Sequence, residues 1–157
     1  MLQCALRPIE EADLDQIFEL MRDPESVRMA AFTAEDPSDR GAFDAHMARI
    51  MSSSTTRTRA VIRDSRLVGT IASYESDGAT EVTYWIDRRW WGQGIATRAL
   101  SLLLEEIPVR PIRARAASDN AGSLRVLQKA GFRPIATEMS FAPGRAAEIE
   151  ETILELP

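Results

Sequence analysis

The chain has 157 residues, 45% hydrophobic and 27% charged, which suits one globular domain spanning 1–157 with a sizeable core. Its net charge of −5, from 19 Lys+Arg against 24 Asp+Glu, argues against nucleic acid as the main partner, because phosphate binding needs a clustered basic excess. One cysteine (Cys4) and one histidine (His46) leave no internal disulfide, no CxxC or His-rich metal site and no obvious Ser-His-Asp triad.

No apolar run approaches the roughly 20 residues of a membrane span, and Met1–Pro8 lacks a signal-peptide pattern. No membrane partner and a cytoplasmic location are expected.

In chain order, Leu2–Arg7 reads as a short strand. A helix comes next with Leu14, Ile17, Phe18 and Met21 on one face, and Pro24 is read as its stop. A second helix is expected from Ser38, as N-cap, to about Met51, with Phe43, Met47 and Ile50 as its apolar stripe. His46 lies near that stripe with no second ligand or triad partner, which favours packing over chemistry. The stretch Asp23–Arg40 is expected to be a loop plus helix start that sets selectivity over the active site.

Three strands come next, about Thr58–Arg63, Arg66–Tyr74 and Thr80–Asp87, joined by turns short enough for hairpins. A glycine turn leads to a helix over Gly94–Glu106, then a strand over Ile112–Ala116, which implies a right-handed crossover and a parallel pair. Ser118–Asn120 caps a further helix that Gly131 ends. Strands over Phe132–Phe141 and around Glu148–Leu156 close the chain about a turn at Pro143-Gly144. The expected fold is α/β (α+β): a mixed, mostly antiparallel sheet of six to seven strands flanked by about four helices.

The segment with most chemical content is Arg89-Trp90-Trp91-Gly92-Gln93-Gly94-Ile95-Ala96-Thr97-Arg98. It joins a strand to a helix N-terminus through two glycines, which allow positive φ and close backbone approach, so that several N–H groups converge on one anion. The helix N-terminus adds unsatisfied donors and partial positive charge, and a pyrophosphate is the natural occupant. A P-loop is unsupported, and Thr97 stands where a dinucleotide fingerprint needs its third glycine.

Arg89-x-x-Gly92-x-Gly94 resembles the signature of the GNAT acetyltransferase superfamily, and Tyr84-Trp85-Ile86-Asp87 through Thr97 resembles its RimJ/RimL-like branch. Asn120-x-x-Ser123 followed by Lys129-Ala130-Gly131-Phe132 is a second match, and Leu6-Arg7-Pro8 with Ala12-Asp13-Leu14 fits the family's opening. The resemblance implies a GNAT-like fold and acetyl-CoA as co-substrate. It implies that the pyrophosphate lies on Gln93, Gly94, Ala96 and Thr97 beside Gly92, and that the pantetheine arm runs along Trp85, Ile86 and Asp87. Arg89 and Arg98 are candidates for phosphate contacts, and Asn120 for a place beside the arm as well as a helix cap.

The sequence departs from the family pattern at one point: Leu124-Arg125-Val126-Leu127 holds no tyrosine where many members carry one to protonate the leaving thiolate. The acid role passes to Ser123, to water, or to no group at all. Candidate bases for the attacking amine are Glu81 and Glu75, each acting through one water. Alternation along the strand puts Glu81, Thr83 and Trp85 on one face and Val82, Tyr84 and Ile86 on the other, and leaves open which face meets substrate.

The activity implied is transfer of an acetyl group from acetyl-CoA to a primary amine, either a protein N-terminus or a small molecule, directly and without metal. The alternative is a catalytically weak acyl-CoA-binding regulatory module. Monomer and homodimer both fit the sequence.

Overall fold

In a computed structural model, residues 3–157 are described, and they form a seven-stranded mixed sheet with five α-helices. The strands are β1 (Cys4–Pro8), β2 (Arg57–Arg63), β3 (Arg66–Ser76), β4 (Ala79–Ile86), β5 (Ile112–Ala117), β6 (Arg133–Ala142) and β7 (Ala147–Leu156). The helices are α1 (Leu14–Met21), α2 (Pro24–Ala30), α3 (Arg40–Ser52), α4 (Ile95–Glu106) and α5 (Ala121–Lys129). Leu2, assigned from sequence to the first strand, lies outside the described residues.

Strand order is β1-β2-β3-β4-β5-β7-β6, and β4–β5 is the parallel pair, as the strand-helix-strand pattern implies. Both hairpin turns of the β2–β4 meander use left-handed backbone, at Asp64-Ser65 (φ 49° and 71°) and at Asp77-Gly78 (φ 50° and 75°). Paired positive φ matches the twist of the flanking strands and holds their register.

Each face of the sheet carries its own apolar layer. On one, Val61, Val68, Ile71, Val82 and Ile86 pack against Ile95, Ala99, Leu100 and Leu103 of α4 and Leu127 of α5. On the other, Ile9, Ala60 and Leu67 meet Ile17 and Leu20 of α1 and Met47 of α3. Phe43 and Ile50 join Met47 there, so the expected stripe of α3 is the face it buries.

Two expectations are corrected. Pro24 starts a helix instead of only ending one: Asp23 accepts hydrogen bonds from the Ser26 N–H and hydroxyl at 3.0 and 2.9 Å, and Pro24 takes the first helical position. A proline costs nothing there, since that N–H is an orphan in any case. The α3 cap is Asp39, which accepts from Ala42 N at 3.0 Å, and not Ser38. Asn120 caps α5 as expected, accepting from Ser123 N at 3.2 Å. Such a cap contributes about 1 kcal/mol.

Candidate active site

β4 and β5 stay together for only three residue pairs, Thr80–Val82 against Ile112–Ala114. Among the described residues, β4 from Thr83 onward has a partner only on its β3 side, while β5 continues against β7. In an antiparallel pair alternate residues turn their N–H and C=O away from the partner, so the second half of β4 presents unpaired backbone to the gap. A cleft of about 770 Å³ runs through this split.

At one end of the cleft sits the glycine turn. Asp87 caps a 3-10 turn over Arg88–Trp90, accepting from Arg89 N at 3.0 Å. Gly92 and Gly94 then have φ of 76° and 77°, the left-handed region that glycine adopts without a Cβ penalty. Gly94 is the cap of α4 and offers no side chain, so nothing satisfies the first turn. Among the described residues no acceptor takes the N–H groups of Gln93, Gly94, Ile95, Ala96 or Thr97. A Cβ at Gly92 or Gly94 would meet only open space. Backbone donors, a helix N-terminus and free volume in front of them fit a pyrophosphate.

Gly92, Gly94, Ala96 and Thr97 line the cleft with Trp85, Ile86, Asn120 and Ser123. The Trp91 indole donates to the Ile86 carbonyl at 2.8 Å, which occupies one acceptor of the β4 edge. Asp87 does not line the cleft. It is buried and held below its ordinary value, chiefly by its hydrogen bond with Arg89, whose Nη2 lies 2.7 Å from Oδ2. Arg89 therefore reaches back to Asp87 and not forward to the turn, and its side chain is otherwise exposed. Arg89 and Gln93 line a second recess, shared with Arg66 and Trp90, outside the cleft. The Gln93 side-chain carbonyl accepts from Arg63 Nη1 at 2.9 Å.

At the far end the cleft is floored by charged groups. Glu81 is 5% exposed and Glu151 7%. Arg115 bridges them, with Nε 3.3 Å from Glu81 and Nη1 3.3 Å from Glu151 and 2.7 Å from Glu138. One guanidinium thus serves three carboxylates, so the floor keeps a negative excess. Burial pushes the Glu151 carboxyl above its ordinary value, against the opposing pull of Arg115. Tyr74, opposite Glu81 across the β3–β4 pair, completes this floor. Glu75 is exposed and does not line the cleft, because alternation turns it to the other face of β3 from Tyr74.

The wall above the floor comes from Ser26, Met29 and Ala30 of α2 and from Phe32. α2 is held by contacts distant in sequence. Gly144 N donates to the Ala31 carbonyl at 2.7 Å, and Asn120 Nδ2 to the Met29 carbonyl at 3.4 Å. Arg145 pairs with both oxygens of Asp119 at 2.8 and 2.9 Å while its Nε donates to the Arg28 carbonyl. A Cβ on Gly144 would lie 2.4 Å from the Val27 carbonyl, so this approach needs a glycine.

The two faces of β4 both contribute. Trp85 packs on the α1 side and its indole donates to the Leu20 carbonyl at 3.1 Å. Tyr84 turns to the α4–α5 side, where its Oη lies 2.7 Å from Ser123 Oγ. The glycine turn, Asn120, Ser123 and Glu81 are visible in the sequence. Arg115, Glu151 and the Tyr84–Ser123 contact are not, since no local pattern marks residues that meet only through sheet pairing. His46 is exposed on α3, 3.2 Å from Arg49, and away from the cleft.

Known proteins share this fold. The profile of the acetyltransferase (GNAT) domain matches residues 4–133. A probable N-acetyltransferase, YjcK of Bacillus subtilis, is 36% identical over 77 residues, 44% of this chain and 42% of that relative. The chain thus spans less than half the length of this curated relative. Among solved structures, RimJ of Mycobacterium smegmatis with a CoA disulfide superposes with a TM-score of 0.78, at 16% identity, over 97% of this chain and 80% of that one. RimL, a ribosomal L7/L12 alpha-N-protein acetyltransferase in complex with coenzyme A, superposes with a TM-score of 0.83, at 14% identity, over 97% and 92%. These structures establish the shared fold, and the domain match covers most of the residues: the chain belongs to the GNAT acetyltransferase family.

Proposed function

We propose that this protein is an N-acetyltransferase that moves the acetyl group of acetyl-CoA directly to a primary amine, on a protein N-terminus or a small molecule. The observation that carries this reading is the split between β4 and β5, which joins an open cradle of backbone donors to a buried acidic floor through one cleft.

The pyrophosphate lies against the N–H groups of Gln93, Gly94, Ala96 and Thr97, where Gly92 and Gly94 shape the turn. The pantetheine arm follows the free edge of β4 from Asp87 and Ile86 past Trp85 toward Thr83, as an added strand would. That arm is about as long as four extended residues, roughly 13 Å, against roughly 10 Å for the three strand rises from Ile86 to Thr83. Its thioester therefore ends near Thr83, in the part of the cleft that Tyr84 and Ser123 also line, with Asn120 flanking the arm. Arg89 lies too far back on Asp87 to serve as a first phosphate contact, and its contribution is to hold the cap of the turn.

The amine enters over the acidic floor, which favours a cationic acceptor on approach. Glu81 then takes a proton through one water, and the neutral amine attacks the thioester carbonyl. Unpaired N–H groups of β4 stabilise the oxyanion, and Ser123 faces the departing sulfur. Glu75 has no part in this scheme, being outside the cleft. The protein works in the cytoplasm as one domain spanning 1–157, monomer or homodimer, without metal.

Titration calorimetry with acetyl-CoA, free coenzyme A and ATP, in the natural protein and in Gly94→Trp, tests the donor site. Micromolar binding of the coenzymes, absent with ATP and lost in the variant, is expected. Turnover of a panel of amines then separates the enzyme from the alternative, a regulatory module that binds acyl-CoA without transferring its acyl group.

A further inference from the structure

Three tryptophans surround the glycine turn and the edge of β4, and one is held differently from the others. Trp85 packs in the apolar layer on the α1 side, where its indole also donates to the Leu20 carbonyl. Trp90 packs against the layer on the α4 side, with the Arg63 guanidinium 5.2 Å from its ring centre. Trp91 joins no apolar cluster among the described residues and is 40% exposed on the cleft wall. Among those residues its side chain has one hydrogen bond, from Nε1 to the Ile86 carbonyl at 2.8 Å.

That carbonyl faces the split. Asp87 N donates to the Val68 carbonyl at 2.8 Å, while Ile86 stands opposite Gly69. This is the pattern of a non-hydrogen-bonded antiparallel pair, whose two residues turn their own N–H and C=O outward. Ile86, and by alternation Tyr84, therefore offer their backbone groups to the gap. The pantetheine arm carries two amides, the groups that an added strand would set against this edge. Trp91 holds one of the two carbonyls that such an arm would use. A carbonyl can accept twice, but here both donors would come from the same gap, one of them on a ring as wide as an indole.

We infer that Trp91 is a placeholder for the coenzyme arm: its indole N–H occupies the Ile86 carbonyl until a pantetheine amide takes it, and the side chain then turns out of the split. The inference rests on the coenzyme path proposed above, which runs the arm along this edge. Gly92 supplies the hinge. It follows Trp91 directly at φ 76° with open space at its Cβ position, so the backbone can rotate there without a clash. No apolar cluster has to give up the ring. The exchange replaces one N–H···O bond by another, so it tunes coenzyme affinity instead of blocking the site. In the empty protein the indole keeps paired a carbonyl that would otherwise lie open on a strand edge.

The test needs no knowledge of the acceptor. The indole N–H signals of the nitrogen-labelled protein are followed by nuclear magnetic resonance, and that of Trp91 is assigned with Trp91→Phe or by elimination with Trp85→Phe and Trp90→Phe. Free coenzyme A should move the Trp91 signal upfield and speed its exchange with solvent, because the carbonyl partner is lost. Adenosine 3′-phosphate 5′-diphosphate, the coenzyme without its arm, should leave the signal in place. Calorimetry supplies the second readout. Trp91→Phe lacks the competing donor and should bind coenzyme A about 3- to 10-fold more tightly, the worth of one net hydrogen bond, with the gain confined to the ligand that carries the arm.

A Trp91 signal that stays put while coenzyme A binds overturns the inference, as does one that the armless nucleotide moves equally far. So does a Trp91→Phe protein that still binds the nucleotide but binds coenzyme A no more tightly, the result expected of an indole that only props the turn. A natural protein that binds neither ligand is a separate failure, since it removes the donor site itself.

Discussion

The two ends of the cleft are built on opposite principles. The proposed donor end is local: Asp87, Gly92, Gly94 and the first turn of α4 lie within one short stretch of chain, and what they offer is backbone N–H groups. The acceptor end is assembled from β3, β4, β5, β7, α2 and Phe32, and its charged side chains are brought together by sheet pairing. The donor end needs a conformation, so two glycines suffice. The acceptor end needs a set of charges held against desolvation, so Arg115 must be shared among Glu81, Glu138 and Glu151.

Substitutions should separate the two ends. The largest effect is expected for Gly94→Val, which puts a β-branched side chain at φ 77° directly before the open amide cradle. Left-handed strain of about 1–2 kcal/mol and loss of the seat should weaken acetyl-CoA binding at least ~100-fold, read by calorimetry. Glu81→Gln comes next. It should lower kcat by about 100-fold or more through loss of the base, while acetyl-CoA affinity stays unchanged. Equal loss of both would show that the ends are not separable.

Arg145→Ala acts on the acceptor end from a distance. It removes the clamp to Asp119 and to the Arg28 carbonyl. Loosened α2 should raise the KM of the amine by about 3- to 10-fold, the scale of a slightly misplaced binding wall, with kcat and coenzyme affinity preserved.

Glu151→Gln probes the electrostatic cost of the floor. Burial holds this carboxyl above its ordinary value, so its ionisation opposes folding. For a raised carboxyl the associated stability is present below the unfolded value and is lost as pH rises through the folded one. The variant should therefore melt about 1–3 °C higher than the natural protein at neutral pH, and the advantage should disappear below the ordinary glutamate value of about 4.3. A pH-independent difference would exclude this cause. The smallest effect belongs to Glu75→Gln, which lies outside the cleft and should leave turnover within about twofold, as exposed substitutions do.

Much of the fold can be read along the chain. The β2–β4 meander, the crossover through α4, the Asn120 cap and the final hairpin all arise from local signals: alternation, left-handed turns and capping residues. α2 escaped because Asp23-Pro24 reads equally as a stop and as a start, and only the packing of Glu25–Ala30 decides between them. Ser123 and Asn120 were legible through motif spacing. Arg115 reads as one surface arginine among many until β5 places it between β4 and β7. Glu151 and Tyr84 are likewise ordinary residues of alternating strands.

The sequence by itself determined the glycine turn and the open start of α4, because positive φ, a helix N-terminus and strand alternation are properties of a few consecutive residues. Only the tertiary structure decided where β4 leaves β5, which carboxylates share Arg115 and that Tyr84 reaches Ser123. Those facts depend on pairing register and packing between segments up to about seventy residues apart, such as Glu81 and Glu151, and no local spacing records them.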